Sequence, residues 1–197
     1  MGSFVLAMSP IVLGLAVGYA RGGRTLRLAG RFRALWLLWL AFVVQMLQHW
    51  VAGFRQVVEI DIGVPILAVV FGLGLVWLAV NLPPWPRAMR AGGGSILLGA
   101  SGNALAIFTN GGRMPYSPRA AEIAGAPIAH TVKSAPADAQ TRLSFLIDYI
   151  PVPVLHKVAS VGDVLIGLGV AVLIAAGMSL TDPTPPTRKP TREEVNT

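Results

Sequence analysis

Two carboxylates near the C-terminal end have types and spacing that invite chemistry: Asp148, within LIDYI, and Asp163, within SVGDVLIGLG. Carboxyl groups held close together resist double ionisation, so one keeps a proton and the pair serves as acid and base around an attacking water. Asp163 also has a purely local explanation. Ser160 and Asp163 form an S-x-x-D arrangement in which the serine accepts from backbone amides at a helix start and the acid is favoured by the positive helix terminus. Both roles require Asp163 to open a helix. Only the first requires Asp148 beside it.

The elements that must position these residues are apolar. Hydrophobic residues make up 54% of the 197 and charged ones 13%, with a mean hydropathy of +0.64. Such a chain is written for a membrane rather than for water. About 20 apolar residues are needed for a helix to cross the hydrocarbon. Five runs approach that length: Phe4 to Ala20, Ala34 to Ala52, Ile62 to Leu82, Gly94 to Thr109 and Val161 to Leu180. The predicted fold is therefore an all-α polytopic transmembrane bundle of about five spans, with a long outer-face loop between the last two. Residues 1–180 form one bundle domain, and the proline-rich 181–197 form a disordered cytoplasmic tail.

The formal charge of +7 would suggest nucleic acid in a soluble chain, but here the basic residues cluster at the ends of apolar runs, which argues against nucleic acid. The loop after the first run carries Arg21, Arg24, Arg27, Arg31 and Arg33 without an acid. The loop with Arg55, Glu59 and Asp61 is net negative, and NLPPWPRAMRAGGG is purely basic. Basic loops stay in the cytoplasm, so the N-terminus lies outside and the C-terminus inside the plasma membrane. The connection from Asn110 to Ser160 then lies outside. Its apolar half, TRLSFLIDYIPVPVLHKVAS, is expected to lie along the interface or to dock onto the bundle, bringing Asp148 toward Asp163.

Polar residues within the runs supply further candidates. Gln45, Gln48 and His49 occupy the second run, with Gln45 and His49 on one helical face suited to interhelical hydrogen bonds. Asn103 sits among Gly99, Ala100, Gly102 and Ala104, and small residues let helices approach closely, so this is the expected packed centre, where the amide must find partners in the protein. The run ends in NGGRMP. Asn110 and the glycines tolerate positive φ and Pro115 prevents the helix from resuming, which makes a helix stop. Alternatively Arg113, with Asn110 beside it, holds a substrate carbonyl at the outer mouth.

At these residues the chain resembles known families. LLGASGNALAI, then LIDYI, then VASVGDVLIGLGVAVLI is similar to the second half of lipoprotein signal peptidase, the type II signal peptidase. That resemblance implies Asp148 and Asp163 as catalytic aspartates at the outer membrane face and Asn103 as a residue shaping the pocket. Ala106 and Ile107 stand where the peptidase has an Asp-Arg pair, and Ser160 where it has an asparagine. Over most of its length the chain more closely resembles a family of uncharacterised multi-pass bacterial membrane proteins that carry an N-G-G-(K/R)-M-P turn and a final helix opening S-x-G-D.

Three classes of function follow. One is an intramembrane aspartyl hydrolase acting on a lipidated or membrane-anchored peptide at the outer face. Another is a non-catalytic protein binding a lipid or an acylated peptide, and the last is an accessory or assembly subunit of a membrane complex. Other chemistries have less support. Without cysteine there is neither a disulfide nor a zinc–thiolate site. His49, His130 and His156 have no metal-ligand spacing such as H-E-x-x-H, and no glycine-rich cofactor loop occurs, so neither a metal nor a cofactor is expected.

Overall fold

A computed structural model describes residues 2–51, 53–54, 57–58, 66–128 and 134–179. The side chains of Gln48 and His49, the acidic loop with Glu59 and Asp61, His130 and the tail from 181 onward lie outside the described residues, and with them the expectations made for those positions. The described chain is mostly helical. Its order is α1 (Gly2–Ala20), α2 (Thr25–Ala29), α3 (Leu35–Trp50), α4 (Ile66–Asn81), α5 (Arg87–Thr109), β1 (Met114–Tyr116), α6 (Pro118–Ala124), β2 (Ser134–Pro136), β3 (Ile150–Val152), a 3-10 turn (Pro153–Leu155), β4 (Lys157–Ala159) and α7 (Val161–Ser179).

The five long helices coincide with the five apolar runs, with one correction. α5 begins at Arg87 rather than Gly94, so the glycines of AGGG are helical. They read as a loop because isolated glycine weakens a helix. Here they serve close approach, for α5 and α7 run antiparallel with their backbones nearly touching. A Cβ added at Gly92 would stand 2.8 Å from the Gly169 carbonyl oxygen, and one added at Gly169 would stand 2.6 Å from that of Gly92. Farther along the seam, Gly99 and Gly162 meet in the same way, and between the two contacts Ser95 Oγ donates to Leu165 O at 2.8 Å. Small residues every seven positions place a backbone-wide groove along each helix, as in tightly packed membrane helices.

α1 packs parallel to α7. Gly14 lies against Ala171 and Ile174, and Gly18 against Met178. At the end where α1 and α7 finish, the arginine-rich segment folds over the bundle. Arg24 N donates to Met178 O at 3.1 Å, and Trp85 Nε1 donates to Arg31 O at 3.0 Å. Phe32, Trp77 and Trp85 meet tilted or edge to face with ring centroids 5.5–5.8 Å apart, and with Leu37, Met89 and Leu173 they form the core at this basic end.

Fully buried Asn81 locks the segment in place. Its Oδ1 accepts Arg33 N at 2.8 Å, while its Nδ2 donates to Arg33 O at 3.0 Å and Trp77 O at 2.8 Å. Asn81→Leu would strand Arg33's amide and carbonyl in an apolar setting, at a cost of about 2–4 kcal/mol. A fall in melting temperature in detergent checks this, with Asn81→Asp falling at least as far.

The opposite end, where acids and bases are mixed, departs from the all-α expectation. The described residues of the connection between α5 and α7 form a small cap that includes four short strands. β1 pairs parallel with β2, Met114 opposite Ser134, and β3 pairs antiparallel with β4, Ile150 opposite Ala159. The apolar stretch expected to lie along an interface forms this hairpin because Pro153 and the left-handed His156, φ 50°, turn the chain back between two β-branched segments.

Candidate active site

The cap is built outward from the end of α5. Gly111 and Gly112, with φ of 69° and 80°, reverse the chain, and Gly112 N donates to Ile107 O at 2.9 Å, closing the helix. The strand that follows is flanked on both sides. On one side Met114 to Tyr116 pair with β2, while on the other Pro115 O accepts Asp148 N at 3.0 Å and Ser117 N donates to Asp148 O at 2.7 Å. Asp148 is thus fixed through its own backbone. One residue later the chain enters the β3–β4 hairpin, where Tyr149 N donates to Ala159 O at 3.1 Å. That register sets Asp148 across from the residues that open α7.

At the start of α7 the side chains close a ring. Ser160 Oγ accepts Asp163 N at 2.9 Å and Asp163 Oδ2 accepts Ser160 N at 3.0 Å, a reciprocal capping box. Ser160 Oγ in turn donates to Asn103 Oδ1, and Asn103 Nδ2 donates to Asp163 Oδ1, each at 2.8 Å. The amide of Asn103 has one workable orientation, because flipping it would set its oxygen against a carboxylate. Ser160 is fully buried and Asp163 opens outward. Both oxygens of Asp163 therefore accept N–H bonds.

The environment of Asp148 is different. Its Oδ1 is buried and has no hydrogen-bond partner among the described residues. Burial, and then the charge of Asp163, push its carboxyl up from 3.8 to about 7. It lines a cavity of about 240 Å³ together with Tyr116, Ala121, Ser134, His156 and Lys157. His156 Nδ1 lies 3.2 Å from Ala124 O, tying the hairpin tip to α6. The two carboxyls thus interact through their charge but differ in setting: both oxygens of Asp163 accept hydrogen bonds, whereas one oxygen of Asp148 has none among the described residues.

The sequence profile of a family of unknown function, DUF5317, matches residues 30–175. The chain belongs to DUF5317. No curated protein and no solved structure matches it. The DUF5317 match runs from Gly30, just after α2, to Ala175, one turn short of the end of α7, so it contains Asn103, Asp148, Ser160 and Asp163 and excludes α1 and α2.

Within the DUF5317 region the candidate residues divide into two groups. Asn103, Ser160 and Asp163 are joined directly, and Pro115 supplies the carbonyl that holds Asp148. The amide of Asn110 is taken up by the chain itself: Nδ2 donates to Ala106 O at 2.8 Å and Arg142 O at 2.9 Å, and Oδ1 accepts Arg142 N at 2.8 Å. Its geometry is that of a clamp on the cap rather than a substrate contact. Arg113 is exposed at the turn. Among the described residues no group of three His, Cys, Asp or Glu is arranged to hold a metal.

Gly162 is the residue that sequence reasoning missed. A Cβ there would collide with Asn103 Oδ1 and stand 2.7 Å from Gly99 O. The ring closes because position 162 has no side chain. The signal was present in the seven-residue spacing of Gly92 with Gly99 and of Gly162 with Gly169, but it identifies partners only once the two helices are known to be neighbours.

Proposed function

We propose that this chain is an intramembrane aspartyl hydrolase of the type II signal peptidase kind, cutting a lipidated or membrane-anchored peptide at the outer face of the plasma membrane. The observation that carries this reading is the buried, unpartnered oxygen of Asp148 beside an Asp163 whose oxygens are both engaged. In this reading Asp148 holds a proton near neutral pH and gives it to the scissile carbonyl oxygen. Asp163 takes a proton from the attacking water as the new C–O bond forms. On collapse the C–N bond breaks, the leaving nitrogen receives the proton from Asp163, and the carbonyl oxygen returns its proton to Asp148. Asn103 and Ser160 orient Asp163 throughout.

Membrane placement is part of the same proposal. Two helices, Arg87–Thr109 and Val161–Ser179, are long and apolar enough to cross a membrane, and 22% and 39% of their apolar windows are buried by the chain itself. The rest of that surface, with Leu98, Phe108 and Leu168 exposed, is suited to hydrocarbon. In this reading three shorter apolar helices, Met8–Ala20, Leu35–Leu47 and Ala68–Asn81, cross beside them to make the five-span bundle. Exposed Trp36 and Trp39 at one end of α3 and Trp50 at the other suit the two interfaces. Arginines at the basic end favour a cytoplasmic C-terminus and an outer site.

The test is cleavage by the purified chain in liposomes, read by mass spectrometry on a panel of membrane-anchored and diacylglyceryl peptides. We expect cleavage by the wild type, with a loss of at least about 10³-fold in Asp163→Asn and no loss of fold. Activity that survives in this variant sinks the hydrolase. A second reading, a non-catalytic protein binding a lipid or an acylated peptide, is favoured by the absence of Asp163 from the residues lining the cavity. It predicts retained peptide without turnover.

A further inference from the structure

Every described acid, Glu122, Asp138, Asp148 and Asp163, lies in the cap or at the helix start beneath it. The other end is purely basic among the described residues. Arg21, Arg24 and Arg33 are exposed around α2, and Arg87 and Arg90 are exposed in the first turn of α5. The fold gathers them. Leu28 of α2 packs on Gly177 beside Met89, Arg24 N is bonded to Met178 O, and the Arg33 backbone is bonded to Asn81. Between Arg24 and Arg27 in the chain stands Leu26, which is 85% exposed on a five-residue helix whose other leucine, Leu28, packs onto the bundle.

Like charges crowded at one end of a fold repel one another, and their number without a described counter-charge calls for an anionic partner. An apolar side chain projecting from the middle of such a cluster identifies the kind of partner. Soluble phosphate has nothing to offer Leu26, whereas a phospholipid presents a phosphate and an acyl chain together. Arginine binds phosphate through its planar donor fork while its stem runs along the acyl region. We infer that the α2 platform, with Arg24 and Arg27 flanking Leu26 in the chain and Arg90 following the Met89 that meets Leu28 at Gly177, binds the headgroup of an anionic phospholipid of the inner leaflet.

This inference rests on the membrane placement proposed above. The test is native mass spectrometry of the full chain released from nanodiscs containing equal phosphatidylglycerol and phosphatidylcholine. We expect preferential retention of phosphatidylglycerol, falling on the order of 100-fold in affinity in the Arg24→Gln, Arg27→Gln, Arg90→Gln variant and several-fold in Leu26→Ser, which keeps every charge. A control variant at the other end, Arg119→Gln with Arg142→Gln, should retain lipid as the wild type does.

Equal retention of the two lipids by the wild type overturns the inference, as does an equal loss in the control variant. Stabilisation by millimolar inorganic phosphate that matches phosphatidylglycerol and ignores Leu26→Ser overturns the lipid assignment. Release of the chain from vesicles by alkaline carbonate would instead overturn the membrane placement. Integral behaviour without lipid preference removes only the platform.

Discussion

Asp148→Asn is expected to abolish cleavage, by at least about 10³-fold, while making the folded chain more stable above pH 7. The two effects have one cause. Asp148 is half-buried with an oxygen that has no partner among the described residues, and burial followed by the charge of Asp163 raises its carboxyl to about 7. The unfolded chain gives up that proton near pH 4, whereas the folded chain keeps it until about pH 7. Below pH 4 both states are protonated and the fold has its full stability. Between pH 4 and 7 the folded state binds more protons than the unfolded state, so stability falls as pH rises, by a few kcal/mol over roughly three pH units. Above pH 7 the loss is complete and constant.

Asparagine preserves the shape and cannot ionise, so the variant loses this slope and is the more stable protein at pH 8. Unfolding at pH 5 and pH 8 in one detergent measures the difference. A wild type whose stability does not decline across that interval would show that Asp148 ionises as freely when folded as when unfolded. The same titration sets the profile of the proposed reaction. As the acid, Asp148 must be protonated, so cleavage falls as pH rises through about 7. Stability given up to keep a carboxyl poised for chemistry is the usual trade at a reactive site.

Gly162→Ala is expected to be the most damaging single methyl in the chain. The added Cβ falls on Asn103 Oδ1 and stands 2.7 Å from Gly99 O. The backbone oxygen cannot move away without separating α5 from α7 along their seam. Asn103 can leave only by giving up its bonds to Ser160 and Asp163. Overpacking of this kind costs about 3 kcal/mol, with the lost hydrogen bonds in addition. Cleavage should disappear with the geometry. Gly72→Ala and Gly74→Ala provide the contrast, since a Cβ at either position meets nothing within 4 Å. Alanine there should be neutral or stabilising by up to about 1 kcal/mol through helix propensity. Thermal melts of the three variants check both halves, and equal melting of Gly162→Ala and Gly72→Ala would refute the seam.

Some of the site was legible from spacing alone. Ser160 and Asp163 lie three residues apart before an apolar run, and that spacing is a local rule of helix starts, so the capping box was readable and is present. Asn103 among small residues was readable as the packed centre for the same kind of reason. That it bonds to the capping box was not, because the contact spans 60 residues and depends on which helices are neighbours. Asn110 shows the opposite limit. Its place in a turn suggested an exposed amide free for substrate, yet Arg142, 32 residues away, takes it up.

What the sequence by itself determined is what composition and period record. Five apolar runs, arginines crowded at their ends and a helix opening on Ser160 and Asp163 all follow from hydropathy and local hydrogen-bonding rules that act within a few turns of chain. Tertiary structure decided the rest. Four short strands placed Asp148 by register, and the pairing of Gly92 and Gly99 with Gly169 and Gly162 let two backbones touch. Such placements arise from contacts between distant segments, and the free energy of a distant contact leaves no mark on the periodicity of either segment.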